Sequence, residues 1–309
     1  MTKVNLQDFP YFSPKRIQEV LETHGASPRK SWGQNYLIDK NTIDQVFVDF
    51  PKLLPQGTNH ISEIGIGLGA FTHKILSWNL PTTLFEIDPI SCEIYRQGLG
   101  SYYPQAKLYE GDFLKKFTPI QNESVFLFGN LPYYITSEII LLCLLQFPKL
   151  TGFLFMAQKE FADRITLESS SLSALIYGFG DIKKFRTIRS ACFYPKPKID
   201  SSLLYFESKI ERLGRNPLDL ALYSLLLRVS FWGKRKKLST AFREAPWESF
   251  LSDEIVALIP REVLISRIQS FQTKCIDHLE VLVWQDRRPD SLMPNDFYHF
   301  YQKVRSTFD

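Results

Sequence analysis

The chain has 309 residues, a net charge of +4 and a hydrophobic content of 44%, which suffices for one large and one smaller domain with buried cores. No apolar run approaches the roughly 20 residues of a membrane span, residues 1–10 lack a signal-peptide pattern, and scattered cysteines favour a reduced cytoplasmic protein without a structural metal site. The mildly basic charge tolerates a polyanionic partner but does not demand one.

The order of the predicted elements indicates an α/β fold. A first helix is predicted over 14–24, ending at Gly25. From residue 60 onward, short apolar strands alternate with helical stretches, as in a doubly wound parallel sheet. The predicted strands are His60–Ile64, Thr82–Glu86, Ala106–Tyr109, Val125–Phe128, Gly152–Met156, Phe185–Arg189 and Ser202–Phe206. The predicted helices between them cover 70–78, 89–98, 136–147, 158–167 and 172–178.

The second half of the chain changes character after the last predicted strands. These two strands flank the proline-rich 193–197 without a helix between them, which favours antiparallel pairing. Beyond them the pattern predicts amphipathic helices only, with breaks near Gly233, Pro246, Pro260 and Pro294. We therefore predict an N-terminal extension (1–27), an α/β domain (28–208) and a small helical domain (209–309).

The most informative stretch is Gly-Asn-Leu-Pro-Tyr-Tyr at 129–134, directly after a predicted buried strand. Asn130 offers an amide oxygen, and Leu131 offers a backbone carbonyl. Pro132 holds that carbonyl outward, while Tyr133 adds an aromatic face. Two acceptors beside a stacking face suit a planar base with an exocyclic amino group, such as adenine or cytosine. For the tetrapeptide alone, a proline turn that closes a strand is the alternative.

A second group of residues lies upstream. Gly65, Gly67 and Gly69 form a loop between a strand and a helix, where the backbone can approach a ligand closely. Glu86 ends the next strand, where a carboxylate can accept from both ribose hydroxyls, and Asp112 follows the third strand, where it can accept from an adenine amino group. Either acid alone could be a solvated strand end. Together the series resembles the S-adenosylmethionine site of class I methyltransferases.

The flanking motifs make this resemblance specific. Residues 30–39 (Lys-Ser-Trp-Gly-Gln-Asn-Tyr-Leu-Ile-Asp) resemble the opening Lys-Ser-x-Gly-Gln-Asn-Phe-Leu-x-Asp of the ribosomal RNA adenine N6-methyltransferases. Residues 193–201 resemble a later motif of that superfamily, and 231–238 and 288–297 resemble C-terminal signals of its small-subunit dimethyltransferases. The Asn-Leu-Pro-Tyr stretch is also closer to this group than to the erythromycin-resistance methylases. The similarity covers about residues 28–305.

The resemblance implies an enzyme that methylates N6 of two adjacent adenines near the 3′ end of 16S rRNA, within the small ribosomal subunit or its precursor. Such an enzyme would be a cytoplasmic monomer with a Rossmann-like methyltransferase domain and a helical RNA-binding domain. The implied contacts to the cofactor, S-adenosyl-L-methionine, are Asn35, Leu37, Gly65, Gly67, Gly69, Glu86, Asp112 and Asn130. At the target adenine, Asn130 and Leu131 would accept the N6 hydrogens, with Pro132 setting their direction, and Tyr133 and Phe193 would stack on the ring.

Basic residues concentrate between Arg228 and Arg243, a stretch without an acidic residue but with Phe231 and Trp232. Such a run suits contacts to RNA phosphates, although a solvated helix face is the alternative. The candidate RNA-binding residues are Arg228, Lys234, Arg235, Lys236 and Lys237. His73, on the helix after the glycine loop, is predicted to lie on the helix surface and not to act as a base.

Two other functions fit parts of the same pattern. A resistance-type methylase would act on a 23S rRNA adenine, and a non-catalytic ribosome assembly factor would use the same scaffold without chemistry. The chain also departs from the family pattern. Ile66 occupies a position where proline is usual, the 166–171 loop is short, and the N-terminal extension is long. The short loop puts the details of RNA contact in doubt.

Overall fold

The computed structural model describes residues 11–29, 32–116, 123–132, 134–209, 211–214, 216–233, 235–251, 256 and 259–307. The chain forms two compact units. The sheet unit comprises Met1–Ala162 and Lys183–Glu207, and the helical unit comprises Asp163–Ile182 and Ser208–Asp309. None of the described helices is long and apolar enough to cross a membrane.

The helices and strands alternate in the first two thirds of the chain and give way to helices alone. The strands are β1 (Tyr36–Leu37), β2 (His60–Ile64), β3 (Thr82–Glu86), β4 (Lys107–Glu110), β5 (Val125–Asn130), β6 (Leu150–Gln158), β7 (Gly180–Ile188), β8 (Phe193–Tyr194) and β9 (Ser201–Ser208). The helices are α1 (Pro14–Thr23), α2 (Lys40–Asp49), α3 (Thr72–Leu76), α4 (Pro89–Gln97), α5 (Leu99–Tyr102), α6 (Phe113–Lys116), α7 (Thr136–Gln146), α8 (Lys159–Leu167), α9 (Ser171–Phe179), α10 (Pro217–Ser230), α11 (Leu238–Glu244), α12 (Arg261–Val281) and α13 (Pro294–Arg305).

Seven of the described strands form one sheet in the order β4-β3-β2-β5-β6-β9-β7. The pairs from β4 to β6 are parallel, whereas β9 runs antiparallel to β6. The central strand β5 is buried along almost its whole length, as expected for a parallel strand with both faces covered. This confirms the predicted Rossmann-like fold with a late antiparallel strand. The predicted bounds of β2 and β3 are confirmed at both ends.

A second, two-stranded sheet was not expected from the sequence. In it β1 pairs antiparallel with β8, so that Leu37 lies opposite Phe193 and Tyr36 opposite Tyr194. Two residues are too few to show a strand periodicity, so this ribbon leaves no pattern in the sequence. It brings the Gln-Asn motif and the later proline-rich motif together.

Aromatic side chains fill the core between the sheet and α2. The Phe50 ring lies 4.7 Å from that of Phe128 and is stacked on Trp78 at 5.3 Å, while Phe47 is stacked on Phe128 at 5.8 Å. Burying each such ring contributes roughly 1.5–3 kcal/mol. Asp39 caps α2 by accepting from the Thr42 backbone N–H at 2.7 Å, which fixes the chain just after β1.

The helical unit takes in residues that the sequence-based division had assigned to the α/β domain. Helix α9 packs against α10, where the Tyr223 hydroxyl donates to the Ala174 carbonyl at 2.7 Å. Gly178 lets the helices approach, because a Cβ there would lie 2.5 Å from the Tyr223 ring. Asp163–Ile182 therefore belongs structurally with Ser208–Asp309. The functional division at residue 208 stays a prediction.

Candidate active site

The sheet order places the candidate site at a topological switch point. From β2 the chain continues through β3 and β4 on one side, and it then returns to β5 on the other side of β2. Ile64 at the end of β2 lies opposite Gly129 near the end of β5. Ligands of open α/β sheets bind at such a point, outside the carboxyl ends of the strands.

The glycine loop begins directly after β2. Gly65 and Gly67 have φ values of +75° and +52°, a region that side chains with a Cβ rarely adopt. A Cβ on Gly65 would lie 3.4 Å from the Asn130 carbonyl oxygen, and one on Gly67 would lie 3.4 Å from the Tyr36 ring. The loop is therefore confined between the ends of β1 and β5.

Glu86 holds this loop against the end of β3. Its carboxylate accepts from the Gly67 backbone N–H and from the Asp88 backbone N–H, both at 2.8 Å. Glu86 is buried, and that burial raises its pKa, while these two N–H donors act in the opposite direction. Each carboxylate oxygen keeps a second lone pair, so both could still accept from a hydroxyl.

The Gln-Asn motif is tied to the strand ends by hydrogen bonds. Asn130 Nδ2 donates to the Asn35 backbone carbonyl at 3.1 Å, and Gln34 Nε2 donates to Asp88 at 2.9 Å. Gly33, at φ +64°, is in contact with Pro132, since a Cβ there would lie 3.7 Å from the proline Cα. The amide nitrogen of Asn130 is thus occupied, which leaves its Oδ1 to accept from a substrate.

A cavity that is partly open to solvent lies between the glycine loop and the end of β5. Its walls include Leu37, Gly65, Gly67 and Asn130, all predicted cofactor contacts. Other predicted contacts are not among its described lining residues: Asn35, Gly69, Glu86 and Asp112. Asp112 accepts from the Leu114 backbone N–H at 3.0 Å, near the start of α6.

Glu63 also lines this cavity, although it is not among the site residues predicted from the sequence. It is 2% exposed, and its Oε2 has no hydrogen-bond partner among the described residues. Burial raises its pKa to about 8. An acid within a predicted strand just before the glycine loop was the available signal, and a buried carboxyl group that lines a cavity suits a cationic ligand, which favours its ionised form.

The other residues that were predicted to contact the target adenine lie in different surroundings. Leu131 is 1% exposed, and its backbone N–H donates to the Met156 carbonyl at 3.3 Å. Phe193 is 3% exposed and packs in the same core cluster as Leu37. The stacking of its ring on the target adenine stays a prediction. Such stacking requires an accessible ring face, and neighbouring core residues cover this ring. Tyr133 lies outside the described residues.

His73 corrects one expectation. It is 5% exposed and not on the helix surface, because the helix after the glycine loop packs into the unit on this side. Its Nδ1 lies 3.1 Å from the Gly69 carbonyl oxygen, and burial lowers its pKa to about 4. A neutral, buried imidazole at this place supports the glycine loop.

Acidic residues from outside the basic segment of the helical unit form ion pairs with it, although the segment itself contains no acid. Lys236 pairs with Glu244 at 3.1 Å and lies 3.8 Å from the centroid of the Trp232 ring. Lys237 pairs with Asp286 at 2.7 Å. These acids come from outside the basic run, so part of its charge is compensated.

The other basic residues of this segment have different surroundings. Arg243 pairs with Glu280 at 3.3 Å, Arg235 is exposed, and Arg228 is half-buried in α10. Lys234 lies outside the described residues.

The sheet order, the glycine loop at the switch point and the cavity beside it define a class I methyltransferase fold and site. The ribosomal RNA adenine dimethylase family model matches residues 25–268, and the chain belongs to this family. The cofactor of this family is S-adenosyl-L-methionine. The residues present fit it, since the glycines let the backbone approach a ligand closely and the buried carboxyl group of Glu63 would ionise beside its positive charge.

Two relatives support this assignment, and one solved structure shares the fold. The chain is 37% identical over 234 residues to Ribosomal RNA small subunit methyltransferase A of Borreliella afzelii, covering 74% of this chain and 80% of that protein. It is 30% identical over 279 residues to the protein of that name from Treponema denticola, covering 87% and 93%. A dimethyladenosine transferase structure from Plasmodium falciparum shares the fold, with a TM-score of 0.67, 23% identity and coverage of 87% and 96%.

Proposed function

We propose that the protein transfers methyl groups from S-adenosyl-L-methionine to N6 of two adjacent adenines near the 3′ end of 16S rRNA, giving N6,N6-dimethyladenosines. It would do so as a monomer in the cytoplasm, on the small subunit or its precursor. The names of both relatives support the small subunit over a 23S rRNA target. The observation that carries the proposal is the position of Asn130, which is held by Asn35 beside the cofactor cavity.

Asn130 and Leu131 would orient the reacting amino group. Because Asn130 Nδ2 is engaged by the Asn35 carbonyl, its Oδ1 can accept one N6 hydrogen. The Leu131 carbonyl would accept the other, with Pro132 setting its direction. Holding both hydrogens aims the nitrogen lone pair at the methyl group, which the cofactor supplies already activated. The flipped base would be stacked by Tyr133 and Phe193, since unstacking it costs a few kcal/mol.

The cofactor contacts would divide along the strand ends. Glu86 would accept from the ribose hydroxyls with its remaining lone pairs, and Asp112 would accept from the adenine amino group. Leu37 and the loop glycines would pack against the body of the cofactor. Glu63 would balance its positive charge.

The helical unit would hold the RNA through its basic segment. Arg235 is exposed and would contact a phosphate directly. Arg228 and Lys234 are further predicted RNA contacts of this segment. Lys236 and Lys237 would first have to exchange their carboxylate partners for phosphates. Exchange of this kind makes RNA affinity depend on salt and on the paired acids.

The Asn130→Ala variant tests the proposal. We expect its methylation of reconstituted small subunits that lack the modification to fall at least about 100-fold, because removing one well-placed acceptor costs about 3 kcal/mol or more in a transition state. Mass spectrometry of the two adenines measures this. Asn41→Ala, an exposed change on α2, is the matched control. Near-wild-type methylation by Asn130→Ala would contradict the assigned role, and modification of only large-subunit rRNA by the wild type would favour the resistance-type activity.

A further inference from the structure

The segment before the Gln-Asn motif reaches the cofactor cavity. Tyr11 and Ile17 line it together with Gly65, Gly67 and Asn130. Tyr11 precedes α1 and is half-buried, and Ile17 lies on the buried face of α1. The predicted extension is thus part of the cavity wall in this chain.

Helix α1 is held in this place by its own sequence. Ser13 caps it by accepting from the Arg16 backbone N–H at 3.3 Å, and Pro14 occupies its first turn. Ile17 and Leu21, four residues apart and therefore on one face, are 0% and 1% exposed. The opposite face carries exposed charged side chains, so the helix has one orientation on the sheet unit.

The buried face of α1 packs on the glycine loop from outside. Ile17 and Leu21 form one cluster with Tyr36 and with Leu68, which lies within the loop. Tyr36 in turn is in contact with Gly67. At the far side, Gln18 Nε2 donates to the Tyr194 hydroxyl at 2.6 Å, which links α1 to β8. The helix therefore supports the loop and closes one side of the cavity.

We propose that residues 11–23 form the outer wall of the S-adenosyl-L-methionine cavity and that Tyr11 and Ile17 contact the bound cofactor. The wall excludes water from that side of the cavity and slows the loss of the cofactor. Apolar side chains serve this purpose because burying them against the ligand contributes in proportion to the area removed from water. The inference depends on the cofactor and not on which RNA is methylated.

Calorimetry and stopped-flow displacement with S-adenosyl-L-methionine test the wall, using the full-length protein. Tyr11→Ala should weaken affinity about three- to tenfold, chiefly through faster dissociation, because it removes one apolar contact. Tyr11→Phe should restore most of it. Lys15→Ala, whose side chain is 86% exposed on the same helix, should bind as the wild type does.

A structural role alone predicts a different result. It would lower the melting temperature of unliganded Tyr11→Ala and leave its cofactor affinity intact once folded, which would overturn the proposal. An unchanged melting temperature with a smaller cofactor-induced shift, and a raised KM for the cofactor at unchanged kcat, would support it. Ile17→Val, a mild change in the helix itself, should show the same affinity loss to a lesser degree. If the wild type binds S-adenosyl-L-methionine but does not methylate rRNA, the proposed reaction is refuted. The cofactor affinities of the variants would still test whether residues 11–23 form the cavity wall.

Discussion

Replacing Glu63 by Gln should change the stability of the unliganded protein and its affinity for the cofactor in opposite directions. Burial, helped by the negative charge of Glu86, raises the pKa of Glu63 to about 8 from an ordinary value of 4.5. Between these values the folded protein holds a proton that the unfolded chain has lost. The contribution of Glu63 to stability is therefore fully present below pH 4.5 and is lost as the pH rises through about 8.

The size of this effect follows from the same shift. At pH 7 the unfolded chain has released this proton, whereas the folded protein still holds it. This difference lowers the free energy of unfolding by about 3 kcal/mol relative to its value at low pH, at 1.36 kcal/mol per pH unit. Gln has nearly the same shape and cannot ionise. The unliganded Glu63→Gln protein should therefore gain up to about 3 kcal/mol in free energy of unfolding at pH 7, and little at pH 5.

Cofactor affinity should move the other way. The ionised fraction of Glu63 rises from about one in a hundred at pH 6 to about one half at pH 8. If the cationic cofactor binds the ionised form, the wild-type Kd should fall by up to about 50-fold over this range, and Glu63→Gln should lose this dependence.

Urea unfolding and calorimetry at pH 5, 6, 7 and 8 measure both quantities, with the exposed Glu93→Gln as control. A Glu63→Gln protein that is no more stable than the wild type at pH 7 and keeps the wild-type pH dependence of binding would refute the reasoning.

Two further predictions concern the strand end and the basic segment. Gly129→Ala should lower the free energy of unfolding by about 1–3 kcal/mol in urea titrations, because its Cβ would lie 2.7 Å from the Leu131 side chain; equal stability would mean that the backbone there yields easily. Arg235→Ala should weaken binding of a 16S rRNA hairpin and reduce the salt slope by about 1 in filter-binding titrations. Asp286→Asn should strengthen that binding, because it frees Lys237 from its 2.7 Å ion pair, and an unchanged affinity would place Lys237 away from the RNA.

Much of the sheet could be predicted from local patterns. Strands β2 and β3 were predicted at their observed bounds. Glu86 ends β3 and Gly65 follows β2, at positions that the parallel register brings to one edge. Asn130 at the end of β5 joins them for the same reason. Periodicity and strand order therefore suffice for this part of the site.

Other parts depend on contacts between distant segments. The burial of His73 could not be predicted, because a short helix after a glycine loop does not reveal which of its faces is covered. The acids that pair with the basic segment, Asp286 and Glu280, lie 49 and 37 residues along the chain from their partners. Glu63 is visible in the sequence as an acid within a predicted strand, but its burial and its role depend on a cavity that only the folded chain forms.

The β1–β8 ribbon has a consequence for how the site comes into being during synthesis. Leu37 pairs with Phe193, and these two segments leave the ribosome far apart in time. Closing so long a loop costs entropy before any contact offsets it. The early segment that carries Asn35 therefore cannot form its strand pairing until β8 has been synthesised. A nascent chain that ends before β8 should carry the sheet strands without a complete cofactor site. Methyl transfer becomes possible only after most of the chain has been made.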